Sequence, residues 1–215
     1  ERQSFRIMQD YIAPPRLFSF RVVLASQSPR RRELMHMLVP DLELAPPRDV
    51  DEDYPAGLPA EAVPEWLSRH KAEAYDDCLR DGEVLLTADT VVVLDGEILG
   101  KPADEADACR MLRKLSGRTH TVVTGVTLSM PGRRVSFSEH TKVKFDPISD
   151  SEIEAYVSTF RPLDKAGSYG IQEWIGAVGI KGIEGSFYNV MGLPVHAVYK
   201  HLQDLRSTLD DSSKS

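Results

Sequence analysis

RVVLASQSPRRR, at residues 21–32, joins an apolar run to a polar turn and a basic segment. The run at residues 21–25 predicts a short buried strand, and the turn after it predicts the start of a helix. Ser28 suits the N-cap of that helix, and Pro29 suits its first position. A strand that leads through a tight turn into a helix favours an α/β fold, in which helices pack on a sheet.

The same alternation continues along the chain. We expect a single two-lobed domain at residues 21–205, an N-terminal extension at residues 1–20 and a polar C-terminal tail at residues 206–215. Apolar runs predict strands, and helical spacing predicts helices. The predicted strands are 84–86, 91–94, 119–130 and 135–145, with hairpin turns at 95–96 and 131–132, and a Gly-rich stretch with small strands covers 167–185. The predicted helices are 60–80, 105–115, 150–159 and 194–205.

Composition limits the function classes. The net charge of −7 disfavours a diffuse nucleic-acid-binding surface. Cys78 and Cys109 form neither a CxxC motif nor a Cys/His pair, so we expect no disulfide framework and no zinc site. The sequence contains no apolar run of the ~18 residues that span a bilayer. These features predict a cytoplasmic protein without a membrane partner.

The turn at residues 26–32 has the chemistry of an anion site. Free backbone N–H groups at a helix N-terminus attract anions, and arginine forks match phosphate oxygens. Ser26, Ser28, Arg30 and Arg31 are therefore candidate phosphate ligands. The alternative is a capped helix with a solvated basic first turn, but cations oppose the macrodipole at this end of a helix.

A carboxylate, Asp89, lies between the two apolar runs predicted as strands. Burying a carboxylate there is costly without a lysine or a divalent cation as partner. The alternative is an Asp that only makes a turn. Lys101 follows twelve residues later and could face Asp89 across the hairpin, or could be an exposed turn lysine.

Two further segments carry candidate polar groups. Residues 164–172 combine Asp164 and Lys165 with Gln172, whose amide can read the edge of a base. Residues 49–53 form an acidic segment that could supply a metal ligand. Each could equally be a solvated loop. Oxygen ligands of this kind favour Mg²⁺ or Mn²⁺ over zinc.

Taken together, five ordered motifs over residues 21–205 resemble the Maf family of nucleoside triphosphate pyrophosphatases. The resemblance implies a two-lobed fold like that of the inosine triphosphate pyrophosphatases, with an elongated mixed sheet flanked by helices and a central cleft. The five motifs are Ser26-Gln27-Ser28-Pro29-Arg30-Arg31, Ala88-Asp89-Thr90, Gly100-Lys101-Pro102, residues 164–172 and residues 185–194.

The resemblance also implies roles for individual residues. Asp89 matches the family's proton acceptor, Glu52 and Lys71 match active-site positions, and Lys101 matches a lysine near the phosphates. A divalent cation, Mg²⁺ or Mn²⁺, would bridge phosphate oxygens to Asp89 and Glu52. The implied reaction is hydrolysis of a nucleoside triphosphate to its monophosphate and pyrophosphate, by a homodimer.

Arg30, Thr90 and Gln172 match the residues of the subgroup that prefers dTTP and UTP. The alternatives are a pyrophosphatase for 7-methyl-GTP or another modified nucleotide, and a nucleotide-binding regulator of septum formation without turnover. Nucleic-acid binding is a third, which the net acidity disfavours. The regulator does not need a water-activating carboxylate, so Asp89, Lys71 and Lys101 favour an enzyme.

Overall fold

The computed structural model describes residues 14–212, and the side chains of residues 14–207. Its strands are β1 (Arg21–Leu24), β2 (Glu43–Leu44), β3 (Glu83–Leu94), β4 (Glu97–Leu99), β5 (Thr119–Met130), β6 (Arg133–Phe145) and β7 (Ile180–Glu184). Its helices are α1 (Pro29–His36), α2 (Val63–Glu73), α3 (Glu105–Leu115), α4 (Asp150–Phe160), α5 (Trp174–Gly179), α6 (Phe187–Met191) and α7 (Val195–Ser212). Residues 1–13 of the predicted extension and residues 213–215 of the predicted tail lie outside the described residues.

The described strands form one mixed sheet of seven strands, in the order β2-β1-β3-β5-β6-β7, with β4 paired to β3. β1 is parallel to β2 and β3, whereas β3, β5, β6 and β7 pair antiparallel. The helices flank this sheet. The predicted α/β class, with an elongated mixed sheet, is therefore confirmed.

Two hydrophobic cores lie on the same face of the sheet. Alternate residues of a strand point to one face, so the even-numbered residues of β3 share a face. Leu86 and Ala88 belong to the first core with α1 and α7, and Val92 and Leu94 belong to the second with α3 and α4. Thr90 lies between them. The two lobes are thus built on one pair of long strands, with a polar position at their boundary.

The helix α2 packs on the opposite face, against β3 and β5. Gly125 of β5 is the point of closest approach, because a Cβ built there would lie 2.2 Å from the Pro64 carbonyl carbon and the Glu65 nitrogen. Any other residue at this position would force the helix away from the sheet. Gly125 is also the cross-strand partner of Asp89. The glycine therefore sets the distance between α2 and that carboxylate.

The predicted local signals around α1 are confirmed. The Ser28 hydroxyl accepts a hydrogen bond from the Arg31 backbone N–H, and Pro29 is the first helical residue. The turn at Asp95-Gly96 joins β3 to β4, and both residues have positive φ values, 52° and 81°. This conformation is the one that a two-residue hairpin prefers.

Five predicted elements are wrong in extent or type. Residues 83–94 form one continuous strand, because β5 pairs with it across residues 85–93, so Asp89 lies within a strand and not between two. The helix predicted at 60–80 is shorter, because α2 spans Val63–Glu73 and a 3₁₀ turn at Asp76–Cys78 follows it. The last helix continues past 205 to Ser212, since no Gly or Pro interrupts it. The Gly-rich stretch 167–185 holds helix α5 and a short 3₁₀ turn, and β7 is its one strand.

No helix among residues 14–212 has the length and apolar character needed to cross a membrane.

The second core encloses a histidine. His120 is 2% exposed, and its Nε2 lies 2.7 Å from the Tyr169 hydroxyl. Its Nδ1 is buried without a hydrogen-bond partner among the described residues. Burial lowers the pKa of His120 to about 4, because the charged imidazolium would lose its solvation. The folded protein therefore holds this ring neutral.

We expect this histidine to make folding sensitive to mild acid. Between pH 6.5 and 4 the unfolded chain binds a proton at His120 that the folded chain does not. The free energy of unfolding is therefore highest above pH 6.5 and falls as the pH is lowered through this window. At pH 5 the loss is about 2 kcal/mol relative to pH 7. Urea unfolding of the wild type and of His120→Gln at both pH values measures it. If His120→Gln lost as much stability as the wild type between pH 7 and pH 5, His120 would not be the cause of the loss. The control is His36→Gln, which replaces an exposed histidine.

Candidate active site

Asp89, Lys71 and Glu52 meet at one point on the α2 face of the sheet. The Lys71 Nζ donates to Asp89 Oδ1 and to Glu52 Oε1, each at 2.7 Å. The side chains of Asp89 and Lys71 are 14% and 19% exposed, whereas that of Glu52 is 56% exposed. β3 provides the aspartate and α2 the lysine, so rigid elements hold this pair. The hydrogen bond from Lys71 is the main cause that lowers the pKa of Glu52.

Glu52 comes from the loop between β2 and α2, and that loop is anchored. The Tyr75 hydroxyl donates to the Pro46 carbonyl oxygen at 2.9 Å, and Arg48 Nη1 donates to Asp77 Oδ1 at 2.7 Å. The Arg48 guanidinium also lies 5.0 Å from the centre of the Tyr75 ring. These contacts tie the start of the loop to the end of α2. The loop thereby places the exposed Glu52 carboxylate next to the buried Asp89 carboxylate.

The two carboxylates have the donor chemistry for a hard divalent cation. Asp89 and Glu52 converge on a single nitrogen, so the position between them already accommodates a positive charge. Neither Asp89 Oδ2 nor Glu52 Oε2 has a hydrogen bond from a described residue. Residues 14–212 contain no group of three or more His, Cys, Asp or Glu side chains that could hold an ion. Mg²⁺ commonly takes one or two carboxylates and completes its shell with water and phosphate oxygens, which fits this pair.

Arg31 is engaged within the protein. Its Nε donates to the Gly192 carbonyl oxygen and its Nη1 to the Ala88 carbonyl oxygen, both at 2.8 Å, and its Nη2 donates to the Thr90 hydroxyl at 2.9 Å. Burial lowers the pKa of this guanidinium, and the charge of Asp89 opposes that shift. Two of its five N–H groups remain for an anion. The guanidinium therefore bridges α1, β3 and the turn after α6.

Thr90 and Asp89 point to opposite faces of the sheet, since they are consecutive residues of one strand. The Thr90 hydroxyl lies 2.9 Å from the Thr124 hydroxyl and 3.3 Å from the Gly192 carbonyl oxygen. This polar group forms the boundary between the two cores. The family resemblance implies that Thr90 contributes to substrate choice, and any contact with a substrate would be made on this face, beside Arg31.

Serine hydroxyls at the turn before α1 accept hydrogen bonds from its own backbone, and the Arg31 N–H donates to the Ser28 hydroxyl oxygen at 3.4 Å. The Ser28 backbone N–H donates to the Ser26 hydroxyl oxygen at 3.2 Å. Arg30 reaches from α1 to the other lobe, where its Nη1 donates to Asp164 Oδ2 at 2.6 Å. The structure therefore brings the first and fourth predicted motifs together across 134 residues of chain.

A chain of alternating charges continues from this contact. Lys165 Nζ lies 2.8 Å from Asp164 Oδ1 and 3.1 Å from Glu173 Oε1, and its side chain is only 10% exposed. Burial would raise the pKa of Asp164, but hydrogen bonds from Lys165 and Arg30 outweigh it and lower this pKa to about 2. The carboxylate is therefore ionised at neutral pH and holds both cations in place.

Lys101 and Gln172 are exposed. Lys101 lies close enough for its charge to lower the pKa of Glu52, although the two form no ion pair. The Gly167 backbone N–H donates to the Gly100 carbonyl oxygen at 3.0 Å, so the segment with Lys101 is joined to the segment with Lys165. The Gln172 amide has no hydrogen bond to a described residue. Both side chains are available to a ligand.

Sequence reasoning missed several polar residues that organise this site. Asn189 is fully buried and donates through Nδ2 to the Val122 and Glu139 carbonyl oxygens. Tyr156 and Glu173 join helix α4 to the segment with Gln172. Asn189 belongs to the last quoted motif, which was a usable signal. Tyr156 has the spacing of an ordinary core residue on an amphipathic helix, so no local signal identified it.

The chain is similar to one protein family and to several of its members. The family model described as Maf-like protein matches residues 21–205. A dTTP/UTP pyrophosphatase of Porphyromonas gingivalis is 55% identical over 190 residues, which cover 87% of this chain and 96% of the relative. The dTTP/UTP pyrophosphatase of Bacteroides thetaiotaomicron is 50% identical over 189 residues, covering 88% and 98%. A solved structure of a HAM1 protein from Coxiella burnetii has a TM-score of 0.46 and 16% identity, covering 86% of this chain and 99% of its own.

Proposed function

The chain belongs to the Maf family, and on that premise we propose that it hydrolyses dTTP and UTP to the monophosphate and pyrophosphate. The observation that carries the proposal is the convergence of Asp89 and Glu52 on Lys71 Nζ, at 2.7 Å each. The similarity to dTTP/UTP pyrophosphatases supports the substrate class. The proposal includes the homodimer that the family resemblance implies and the cytoplasmic location that the sequence composition predicts.

Asp89 accepts a proton from the attacking water in this mechanism. Its carboxylate is held by β3 and oriented by Lys71, so it does not have to reorganise when the substrate arrives. As the water loses its proton to Asp89, its oxygen forms a bond to phosphorus at the α–β linkage, and the bond to the departing pyrophosphate breaks. The proton then leaves Asp89 to solvent. This sequence uses the carboxylate as a general base.

Several cations balance the charge of the triphosphate. Lys101 is exposed beside Glu52, and Arg30 lies at the start of α1 next to the N–H groups capped by Ser28. Arg30 is held by Asp164 here, so a phosphate group would compete with that carboxylate for the guanidinium. These groups stabilise charge that the reaction moves towards the leaving pyrophosphate. The net charge of −7 makes such local neutralisation necessary.

We include a divalent metal, Mg²⁺ or Mn²⁺, held by Asp89 and Glu52. When bound, such an ion polarises phosphate oxygens and neutralises their charge. Lys71 would keep its hydrogen bonds to one oxygen of each carboxylate. The ion would bind the other oxygen of each, which accepts no hydrogen bond from the described residues. The carboxylates themselves would orient the ion relative to the phosphates.

Pyrophosphate release over a panel of triphosphates tests the function. We expect dTTP and UTP to be hydrolysed faster than dATP, dGTP and 7-methyl-GTP, and we expect activity to be lost with EDTA and restored by Mg²⁺ or Mn²⁺. The products must be monophosphate and pyrophosphate in equal amounts. If the protein bound dTTP but released no pyrophosphate, it would be a nucleotide-binding regulator and not an enzyme. If it hydrolysed 7-methyl-GTP faster than dTTP, 7-methyl-GTP would replace dTTP and UTP as the proposed substrate.

Gln172 reads the base in this proposal. Thymine and uracil present the same Watson–Crick edge, and one amide offers both a donor and an acceptor to it. We expect Gln172→Ala to lower the selectivity for dTTP over dGTP about tenfold, which is the loss of one or two hydrogen bonds. The measurement is the ratio of kcat/KM values. The matched control is Gln203→Ala, because that amide bonds to Tyr199 on α7. An unchanged ratio in Gln172→Ala would remove this residue from base recognition.

A further inference from the structure

Gln172 is the third residue of a tight turn. The Glu173 backbone N–H donates to the Gly170 carbonyl oxygen at 3.0 Å, which closes a turn over residues 170–173. Ile171 is buried in the second core, and Gln172 faces outward with no side-chain partner among the described residues. The position of the Gln172 amide is therefore decided by the backbone of this turn.

One buried hydroxyl bonds to both ends of the turn. The Gly170 backbone N–H donates to the Tyr156 hydroxyl oxygen at 3.1 Å, and this hydroxyl donates to Glu173 Oε2. Tyr156 lies on α4, and its side chain is 1% exposed. The remaining oxygen, Glu173 Oε1, is paired with Lys165 Nζ at 3.1 Å. The turn is thus attached to a helix that is packed into the second core.

The chemistry of this contact makes it directional. A tyrosine hydroxyl has one proton to donate, and here the proton goes to a carboxylate, which makes a strong charge-assisted hydrogen bond. Burial, reinforced by the Glu173 carboxylate, raises the pKa of Tyr156, so the hydroxyl keeps that proton. Because a buried hydroxyl has no water to replace either partner, both hydrogen bonds are maintained together.

We propose that Tyr156 is a positioning residue for base selection, which acts by holding the turn that presents Gln172. The inference rests on the proposed function, since it assumes that Gln172 contacts the base. Without the hydroxyl, the turn would keep Ile171 in the core but would lose both attachments beside Gln172. The amide would then sample several positions, and substrate binding would have to restrict them again. The loss would therefore affect pyrimidine recognition. It would not affect Asp89, which lies on strand β3.

The test is steady-state kinetics of Tyr156→Phe with dTTP and dGTP. We expect the kcat/KM ratio to fall about tenfold through a higher KM for dTTP, with kcat for dTTP within about twofold of the wild type. In the Gln172→Ala background the same substitution should cause no further fall, because the two residues act through one contact. If Tyr156→Phe does not fold, Glu173→Ala is the second variant. It removes the carboxylate that accepts the Tyr156 proton, at a less buried position, and should lower the kcat/KM ratio in the same way.

The control is Tyr75→Phe, which removes another buried hydroxyl, the one bonded to the Pro46 carbonyl oxygen. It should leave the dTTP to dGTP ratio unchanged, whatever it does to stability. A ratio within twofold of the wild type in Tyr156→Phe or Glu173→Ala would overturn the proposal, and so would an equal fall in the Gln172→Ala background. A wild type that does not hydrolyse dTTP would instead overturn the proposed function, so the two failures are distinguishable.

Discussion

Asp89→Asn should reduce turnover of dTTP on the order of 10²-fold or more, because the amide cannot accept a proton from water at neutral pH. The fold should persist, since Asn has the same shape and its oxygen can still accept the hydrogen bond from Lys71 Nζ. The loss should appear in kcat. The measurement is the initial rate of pyrophosphate release at saturating dTTP, together with the thermal unfolding curve.

The control for this result is Asp146→Asn, at a half-exposed carboxylate that pairs with Lys181 on the surface. It should retain wild-type kcat. Near-wild-type hydrolysis by Asp89→Asn would eliminate the general base. A loss of turnover accompanied by a large fall in the unfolding midpoint would contradict the expectation of an intact fold, because it would assign Asp89 a structural role.

Gly125→Ala should reduce the free energy of unfolding by about 3 kcal/mol, near the upper end for overpacking a core. The added Cβ would lie 2.2 Å from backbone atoms of Pro64 and Glu65, which no rotamer change can relieve. α2 must therefore move, and Lys71 moves with it away from Asp89. We expect the remaining folded protein to have a lower kcat as well. Urea unfolding and the dTTP assay measure the two effects.

Gly182→Ala is the matched control, because a Cβ there meets no atom within 4 Å and the residue lies in the exposed strand β7. It should change the unfolding free energy by less than about 1 kcal/mol. If Gly125→Ala were as stable as this control, α2 would not be in contact with β5 at Gly125, and the account of how the helix positions Lys71 would be wrong.

How far the fold could be predicted depends on the range of the interactions. The cap at Ser28, the turn at Asp95-Gly96 and helix α3 were predicted because each depends on residues within one turn of one another. The sequence pattern predicts two strands in place of β3, because Asp89 and Thr90 are polar residues within an apolar run. Their partners are Lys71 and Thr124, which are 18 and 34 residues away, so local pattern could not show that both polar side chains were satisfied inside a strand.

The candidate site shows the same division. The family resemblance implies active-site roles for Asp89, Lys71 and Glu52, and the structure brings these three together at 2.7 Å contacts. The motifs also named Arg31 as a phosphate ligand, but most of its donors bond within the protein to Gly192, Ala88 and Thr90. A basic residue at a helix N-terminus has the same sequence signature in either environment. Only packing distinguishes them.

The α/β class, the type of most long elements and the family can be predicted from the sequence, because they follow from local periodicity and from residue types at fixed spacing. The direction of each polar side chain is set only by tertiary packing. Asp89 points towards α2, Thr90 towards the boundary of the two cores, and Tyr156 towards the turn of Gln172. The physical reason is that these orientations depend on cross-strand register and helix packing between distant residues, and such contacts leave no periodic trace along the chain.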